Sequence, residues 1–125
     1  MSKYIDSTTN PTTVSANVQY ESDGNIILVG TSQYDGLGIN YGSTGRPDKT
    51  TIQLTASGTK GVQSITTTKE GGHDKSIAWT NSGEVWSYDI PTSFIGTVKH
   101  SANFTVTWSD GTKHDPQIII NPSNG

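Results

Sequence analysis

Three tryptophans fall in the second half of the chain, at Trp79, Trp86 and Trp108, and Tyr34, Tyr41 and Tyr88 add further flat rings. Away from a core, such rings suit one kind of ligand well. A sugar presents a patch of C–H bonds rimmed by hydroxyls, so an exposed aromatic plane holds the patch and short polar side chains hold the rim. Read this way, Trp79, Trp86, Tyr34 and Tyr41 are candidate stacking residues. Asp35, Asn40, His73, Asp74 and His114 are candidate hydrogen-bonding partners for hydroxyls. Trp108 alternates with Phe104 and Val106, the pattern of a core residue.

Other chemistries find less to work with. The chain has no G-x-S-x-G elbow, no H-E-x-x-H and no phosphate-binding glycine loop. Gly36-Leu37-Gly38 lacks the third glycine of a dinucleotide site, and cysteine is absent, which removes thiol nucleophiles, disulfides and zinc–thiolate sites. Glu21, Glu70 and Glu84 have no apolar setting that would raise a carboxyl pKa for glycoside hydrolysis. The expectation is therefore no enzyme and no cofactor. Asp35, Asp48, Asp74, Asp110 and Asp115 occupy turn-like stretches but lack the spacing of a calcium loop, so Ca²⁺ has no motif here. The sequon Asn103-Phe104-Thr105 lies within an expected strand and reads as structural.

Composition narrows the remaining classes. The 125 residues suffice for one domain, with apolar residues at 30%, charged residues at 15% and a formal net charge of −3. Eight Lys and Arg stand against eleven Asp and Glu with no basic block, so there is no electrostatic footprint for nucleic acid. The longest apolar run is Ile26 to Val29, too short for a membrane span. Met1 is followed by polar residues rather than an apolar signal-peptide stretch. That pattern suits a cytoplasmic protein, one secreted unconventionally, or an extracellular module excised from a longer chain.

The elements that must position these residues are strands. No window sustains an apolar period of 3.6, and short β-rich runs recur between turn residues. Val14, Ala16, Val18 and Tyr20 alternate, as do Ile52, Leu54 and Ala56, Ile77 and Trp79, Trp86, Tyr88 and Ile90, Phe104, Val106 and Trp108, and Ile118 and Ile120. With Ile26–Val29 and the stretch around Ile65 this makes about eight strands. Asp23-Gly24, Asn81-Ser82-Gly83 and Asp110-Gly111 supply hairpin turns. The fold class is all-β, a two-sheet antiparallel sandwich of immunoglobulin-like or jelly-roll type. Residues 1–13 read as a loosely ordered leader to a single sandwich domain over 14–125. Residues 34–49, with four glycines, read as a long loop.

Residues 84–117 run E-V-W-S-Y-D-I-P-T-S-F, then, after a linker, F-T-V-T-W-S-D-G-T-K-H-D-P-Q. This quarter of the chain resembles the closing half of the starch-binding, immunoglobulin-like carbohydrate-binding modules. The resemblance implies a Trp platform near Trp86. His114-Asp115-Pro116 stands where that family has Trp-Asp-Asn.

Two functions follow as expectations. The first is non-catalytic carbohydrate binding, as a lectin or carbohydrate-binding module whose partner is a glycan or polysaccharide. Its weak individual sites would be multiplied by a homo-oligomer or repeated modules. The second is a structural or adhesive β-sandwich with no small-molecule ligand. Abundant Thr and few lysines would then leave its strand edges open to association. The rings separate the two: the first reading needs one lying exposed beside polar neighbours.

Overall fold

The computed structural model describes residues 3–22, 25–58, 60–70, 73–96 and 99–122. Among them the chain forms β1 (Tyr4–Thr9), β2 (Thr13–Val18), β3 (Ile27–Val29), β4 (Ser32–Tyr34), β5 (Gly36–Tyr41), β6 (Lys49–Ala56) and β7 (Val62–Glu70). Then follow β8 (His73–Ala78), β9 (Thr80–Ser82), β10 (Val85–Pro91), a short 3₁₀ turn over Thr92–Phe94, β11 (His100–Trp108), β12 (Lys113–His114) and β13 (Gln117–Pro122). One sheet has the order β1-β5-β13-β11-β7-β8, with β12 added to β11; the other has the order β4-β3-β2-β6-β10-β9. The expected two-sheet β-sandwich is the fold. The chain passes between sheets six times, at short corners from β1 to β2, β4 to β5 and β8 to β9 and through longer links from β5 to β6, β6 to β7 and β10 to β11, and this division yields more strands than the sequence periods suggested.

Alternation places the core. Val14, Ala16 and Val18 of β2, Ile52 and Leu54 of β6, and Trp86, Tyr88 and Ile90 of β10 face inward from one sheet. Leu37 and Ile39, Ile65, Phe104, Val106 and Trp108, and Ile118 and Ile120 meet them from the other. Burying each Leu, Ile, Val or Phe side chain stabilises the fold by roughly 1.5–3 kcal/mol. Threonine recurs at outward positions of β6, β7 and β11, where branching at Cβ suits a pleated surface. Two inward threonines, Thr50 and Thr67, are fully buried, and both are hydrogen-bonded, Thr50 donating to the Pro11 carbonyl at 2.8 Å.

Three expectations need correction. Residues 3–13 are not a loose leader: β1 pairs in parallel with β5, and the chain turns at Asn10, whose positive φ of 56° is held by hydrogen bonds to Gly42 and Thr44. The Ser/Thr content that suggested looseness belongs to a half-covered edge strand. Residues 34–49 are not one long loop either. They contain β5, which lies between β1 and β13 with Leu37, Ile39 and Tyr41 buried. Its glycines serve close approach: a Cβ on Gly36 would run into the Gln117 carbonyl, and one on Gly38 would lie 2.7 Å from Asp6 Oδ1. The Tyr4 hydroxyl reaches Gln117 Oε1 at 2.8 Å, and both residues stand in register with Gly36. Finally, the sheets are mixed: β1 with β5, β5 with β13 and β2 with β6 run parallel. Corner crossings between sheets bring successive strands back in the same direction, which hairpins cannot do.

The Asn81-Ser82-Gly83 signal forms the β9–β10 hairpin, with Gly83 at φ 61°, and Asp110-Gly111 turns β11 into β12 with Gly111 at φ 90°. The Asp23-Gly24 turn lies outside the described residues. Asn103 of the sequon sits on β11, its side-chain oxygen buried and without a hydrogen-bond partner among the described residues.

The sheet edges are blunted by means other than lysine alone. Strands β4 and β9 are three residues each, β1 breaks register between Asp6 and Thr9, and β8 carries Asp74 and Lys75. One test of the packing follows from β5. Gly36→Ala should destabilise the protein by about 1–3 kcal/mol, the usual cost of forced overpacking. Gly61→Ala, where an added Cβ meets open space, should stay within about 0.5 kcal/mol of wild type. Urea unfolding of the two variants checks the pair, and equal midpoints would contradict the account of β5.

Candidate functional site

The aromatic residues expected to stack on sugar are mostly structural. Trp79 is 5% exposed at the corner between β8 and β9. Its ring stacks on Tyr88 at 5.5 Å between centroids and tilts against Phe104 at 5.1 Å, while Nε1 donates to Thr67 Oγ1 at 2.8 Å. Tyr41 is sealed in the core, with its hydroxyl hydrogen-bonded to buried Thr50. Tyr34 is half-buried at the end of β4, and Lys3 Nζ sits 4.7 Å from its ring centroid. Each ring is therefore withdrawn from stacking by core burial or by a lysine against it.

Trp86 differs. It is 9% exposed and borders a hollow of about 230 Å³ at one end of the sandwich. Ser57, Lys60, Asn81 and Glu84 stand around it, contributed by the segment after β6 and the β9–β10 turn. Asn81 and Glu84 are exposed, and their side chains make no hydrogen bond among the described residues. Lys60 is committed elsewhere, 2.5 Å from Asp110 Oδ2 and 3.8 Å from the Tyr20 ring centroid. The Asp110 hydrogen bond raises the Lys60 pKa, and the same bond, with Thr112 assisting, holds the Asp110 carboxyl below its usual range. Asp110 is exposed and Lys60 partly so, and solvent screening leaves the pair with a small share in stability.

The polar candidates are dispersed. Asp35 bridges β4 to β5 and accepts the Lys3 backbone N–H at 2.7 Å. Asn40 donates to the Ser7 carbonyl at 2.8 Å and faces Asn121 at 3.4 Å, tying β1, β5 and β13. Asp74 is on the outer edge of β8, 4.0 Å from Lys69. His114 Nδ1 accepts the Trp108 indole N–H at 2.7 Å, and its ring meets Tyr20 edge-on. The side chain of His73 lies outside the described residues; its backbone starts β8. These residues belong to different corners and do not converge on one ligand. No group of three or more His, Cys, Asp or Glu gathers in metal-binding geometry among the described residues.

A second hollow, of about 320 Å³, lies on the flank between β8 and β10 and was not foreseen. Glu70, Ile77, Ala78, Thr80, Ser87, Tyr88, Asp89 and Pro91 enclose it. Glu70 arrives there because the β7–β8 register slips between Thr67 and Lys69, and such a bulge re-aims the residues beyond it. Its carboxylate accepts the Tyr88 hydroxyl. Burial, then the Glu70 hydrogen bond and charge, push the Tyr88 phenol pKa well up. The Asp89 side chain points to the outer face, held by the Thr51 hydroxyl at 2.6 Å and Lys49 at 3.3 Å. Those contacts, the Thr51 bond foremost, lower its carboxyl pKa. The sequence signal for this hollow is slight. Ile77 and Ala78 stand next to Trp79, where the expected strand continues unbroken but the chain in fact changes sheets.

Two measurements probe these assignments. Thr67→Val would strand the Trp79 indole N–H in the core and should cost about 1–3 kcal/mol, read by denaturant unfolding; a neutral variant would mean that Trp79 is not anchored there. Tyr41 and Tyr88 both have phenol pKa values above the ordinary 10.0, Tyr41 chiefly through burial. The native state thus retains protons that the unfolded chain releases, so their contribution is intact below pH 10 and falls as pH rises beyond it. Ultraviolet titration should show these two of the five tyrosines ionising only as the fold opens. Five phenols titrating together near pH 10 in folded protein would refute both environments.

Comparison with known proteins places no relative beside this chain: no family model, no curated protein and no solved structure matches it.

Proposed function

We propose that this chain is a non-catalytic structural or adhesive β-sandwich that meets its partners through polar sheet faces and open backbone rather than through an aromatic sugar platform. The observation that carries this reading is the placement of the rings. Trp79, Trp86, Trp108, Tyr41 and Tyr88 are all less than a tenth exposed, and Val29 is the exposed large hydrophobic residue among those described. Stacking on a sugar needs an accessible ring face, whereas these rings consolidate the contact between sheets. The outward positions of β2, β6 and β10 present Thr13, Ser15, Asn17, Thr51, Gln53, Thr55 and Ser87, a polar face suited to wet, reversible contact.

A second reading keeps carbohydrate binding and moves it to the Trp86 hollow. It is favoured by one observation: Asn81 and Glu84 keep their hydrogen-bonding groups unspent beside the indole that borders the cavity. Tryptophan fluorescence during titration with soluble malto-, cello- and xylo-oligosaccharides separates the two. The structural reading expects no saturable change at millimolar sugar. A saturable shift that disappears in Asn81→Ala or Glu84→Ala would replace it with the carbohydrate reading.

A further inference from the structure

The flank hollow marks a place where a strand leaves its sheet. In the β9–β10 hairpin, Ser82 pairs with Val85 and Thr80 with Ser87. Continued, the same register would set Ala78 opposite Asp89. Ala78 instead pairs with Thr66 of β7, in the other sheet, and the Trp79 N–H already donates to the Ile65 carbonyl at 2.9 Å. Beyond Ser87, β10 runs on to Pro91 with β6 on one side and, among the described residues, no ladder partner on the other.

The direction of its free backbone groups can be read from the ladder. Ala56 N–H donates to the Glu84 carbonyl at 2.8 Å, so the backbone groups of Glu84 turn toward β6. In an antiparallel ladder they alternate, hence those of Trp86, Tyr88 and Ile90 also face β6, and those of Ser87 and Asp89 face away. Ser87 is met by Thr80. The Asp89 N–H and C=O project into the hollow and meet no protein partner among the described residues.

We propose that this notch takes an extended peptide segment from another protein, added as a short antiparallel strand to β10 at Asp89, with a Lys or Arg side chain directed at Glu70. This identifies a site and a partner class for the adhesive reading above and rests on it. Backbone hydrogen bonds at Asp89 would supply register, as in strand addition generally. Ile77, Tyr88 and Pro91 would cover the stem of the inserted side chain, and the Glu70 carboxylate, already an acceptor for Tyr88, would meet its cationic head. Glu70 forms no ion pair among the described residues; across the ladder it stands opposite His73. The Lys49 and Lys69 ammonium groups are turned to Asp89 and Asp74.

A second copy of this chain is disfavoured on the flank in the registers that place the charged residues of β8 at the pairing centre. A two-fold antiparallel pairing of β8 with itself matches residues of one face, so registers centred on Asp74 or Lys75 oppose like charges.

The test uses the full chain and acetyl-Val-Thr-Lys-Thr-Val-amide, followed by amide chemical shifts. Saturable shifts should centre on Asp89, Tyr88, Ile77 and Ala78. Replacing the peptide Lys by Glu should weaken binding about tenfold or more, as should N-methylation of whichever Thr lies opposite Asp89. Glu70→Gln, which keeps an acceptor for Tyr88, should weaken the Lys peptide severalfold and leave a norleucine analogue unchanged. The proposal is overturned by shifts that lie elsewhere or are absent at millimolar peptide, or by indifference to both N-methylations or to Glu70→Gln. Shifts at these residues that grow with protein concentration alone would also overturn it, assigning the flank to self-association. Failure here leaves the sugar titration silent or responsive as before, so the two readings stand or fall separately.

Discussion

The change of sheet at Trp79 is the constraint on which the neighbouring structure depends. One residue earlier the chain belongs to β8 and the sheet of β7; one residue later it belongs to β9 and the sheet of β10. The indole fills the interior of that corner, with its N–H fixed on Thr67 from one sheet and its face on Tyr88 from the other. Tyr88 in turn fixes the Glu70 carboxylate. A smaller ring would leave a void at the corner, and a ring without Thr67 would bury an unsatisfied donor, a cost of about 1–3 kcal/mol. The flank hollow is the geometric consequence, since two strands that part at Trp79 cannot both cover the edge of β10.

The opposite side of the sandwich solves a similar problem with backbone rather than an aromatic ring. There β1 and β4 cross to β2 and β5, and β5 is squeezed between two parallel partners. Gly36 and Gly38 remove the side chains that would collide with Gln117 and Asp6, while Leu37 and Ile39 keep the inward face apolar. Strength here comes from close approach and from polar ties such as Tyr4 to Gln117 and Asn40 to Ser7. A glycine-rich stretch therefore sits where the packing is tightest.

That inversion explains what the sequence revealed and what it hid. Alternation in β2, β6, β10, β11 and β13 was legible because an apolar residue every second position is what a half-buried strand requires. The turns at Gly83 and Gly111 were legible because they need positive φ. β5 was not, since glycine signals both a loop and a crowded strand, and only the partner strand decides between them. β1 was hidden by its polar edge composition, and the parallel pairings by the absence of any local sign of a corner. The candidate site suffered most. Trp79, Trp86 and Tyr41 have the residue types of a sugar platform and of a core alike, and the choice rests on burial, a property of the whole fold. His114 shows the same ambiguity, an apparent ligand residue whose Nδ1 is spent on Trp108.

Guarded and open edges stand side by side in the two sheets. Two edges are kept to three residues, one is bulged and one is charged, each a device that discourages pairing with a neighbour. Beside these, the unpaired backbone at Asp89 is an exception, and it lies in a recess rather than on an outer rim. A recessed edge admits a single narrow chain and excludes the broad edge of another folded sheet. The same arrangement that limits indiscriminate association thus leaves room for one selective contact, whose apolar floor and lone carboxylate set the chemistry of what enters.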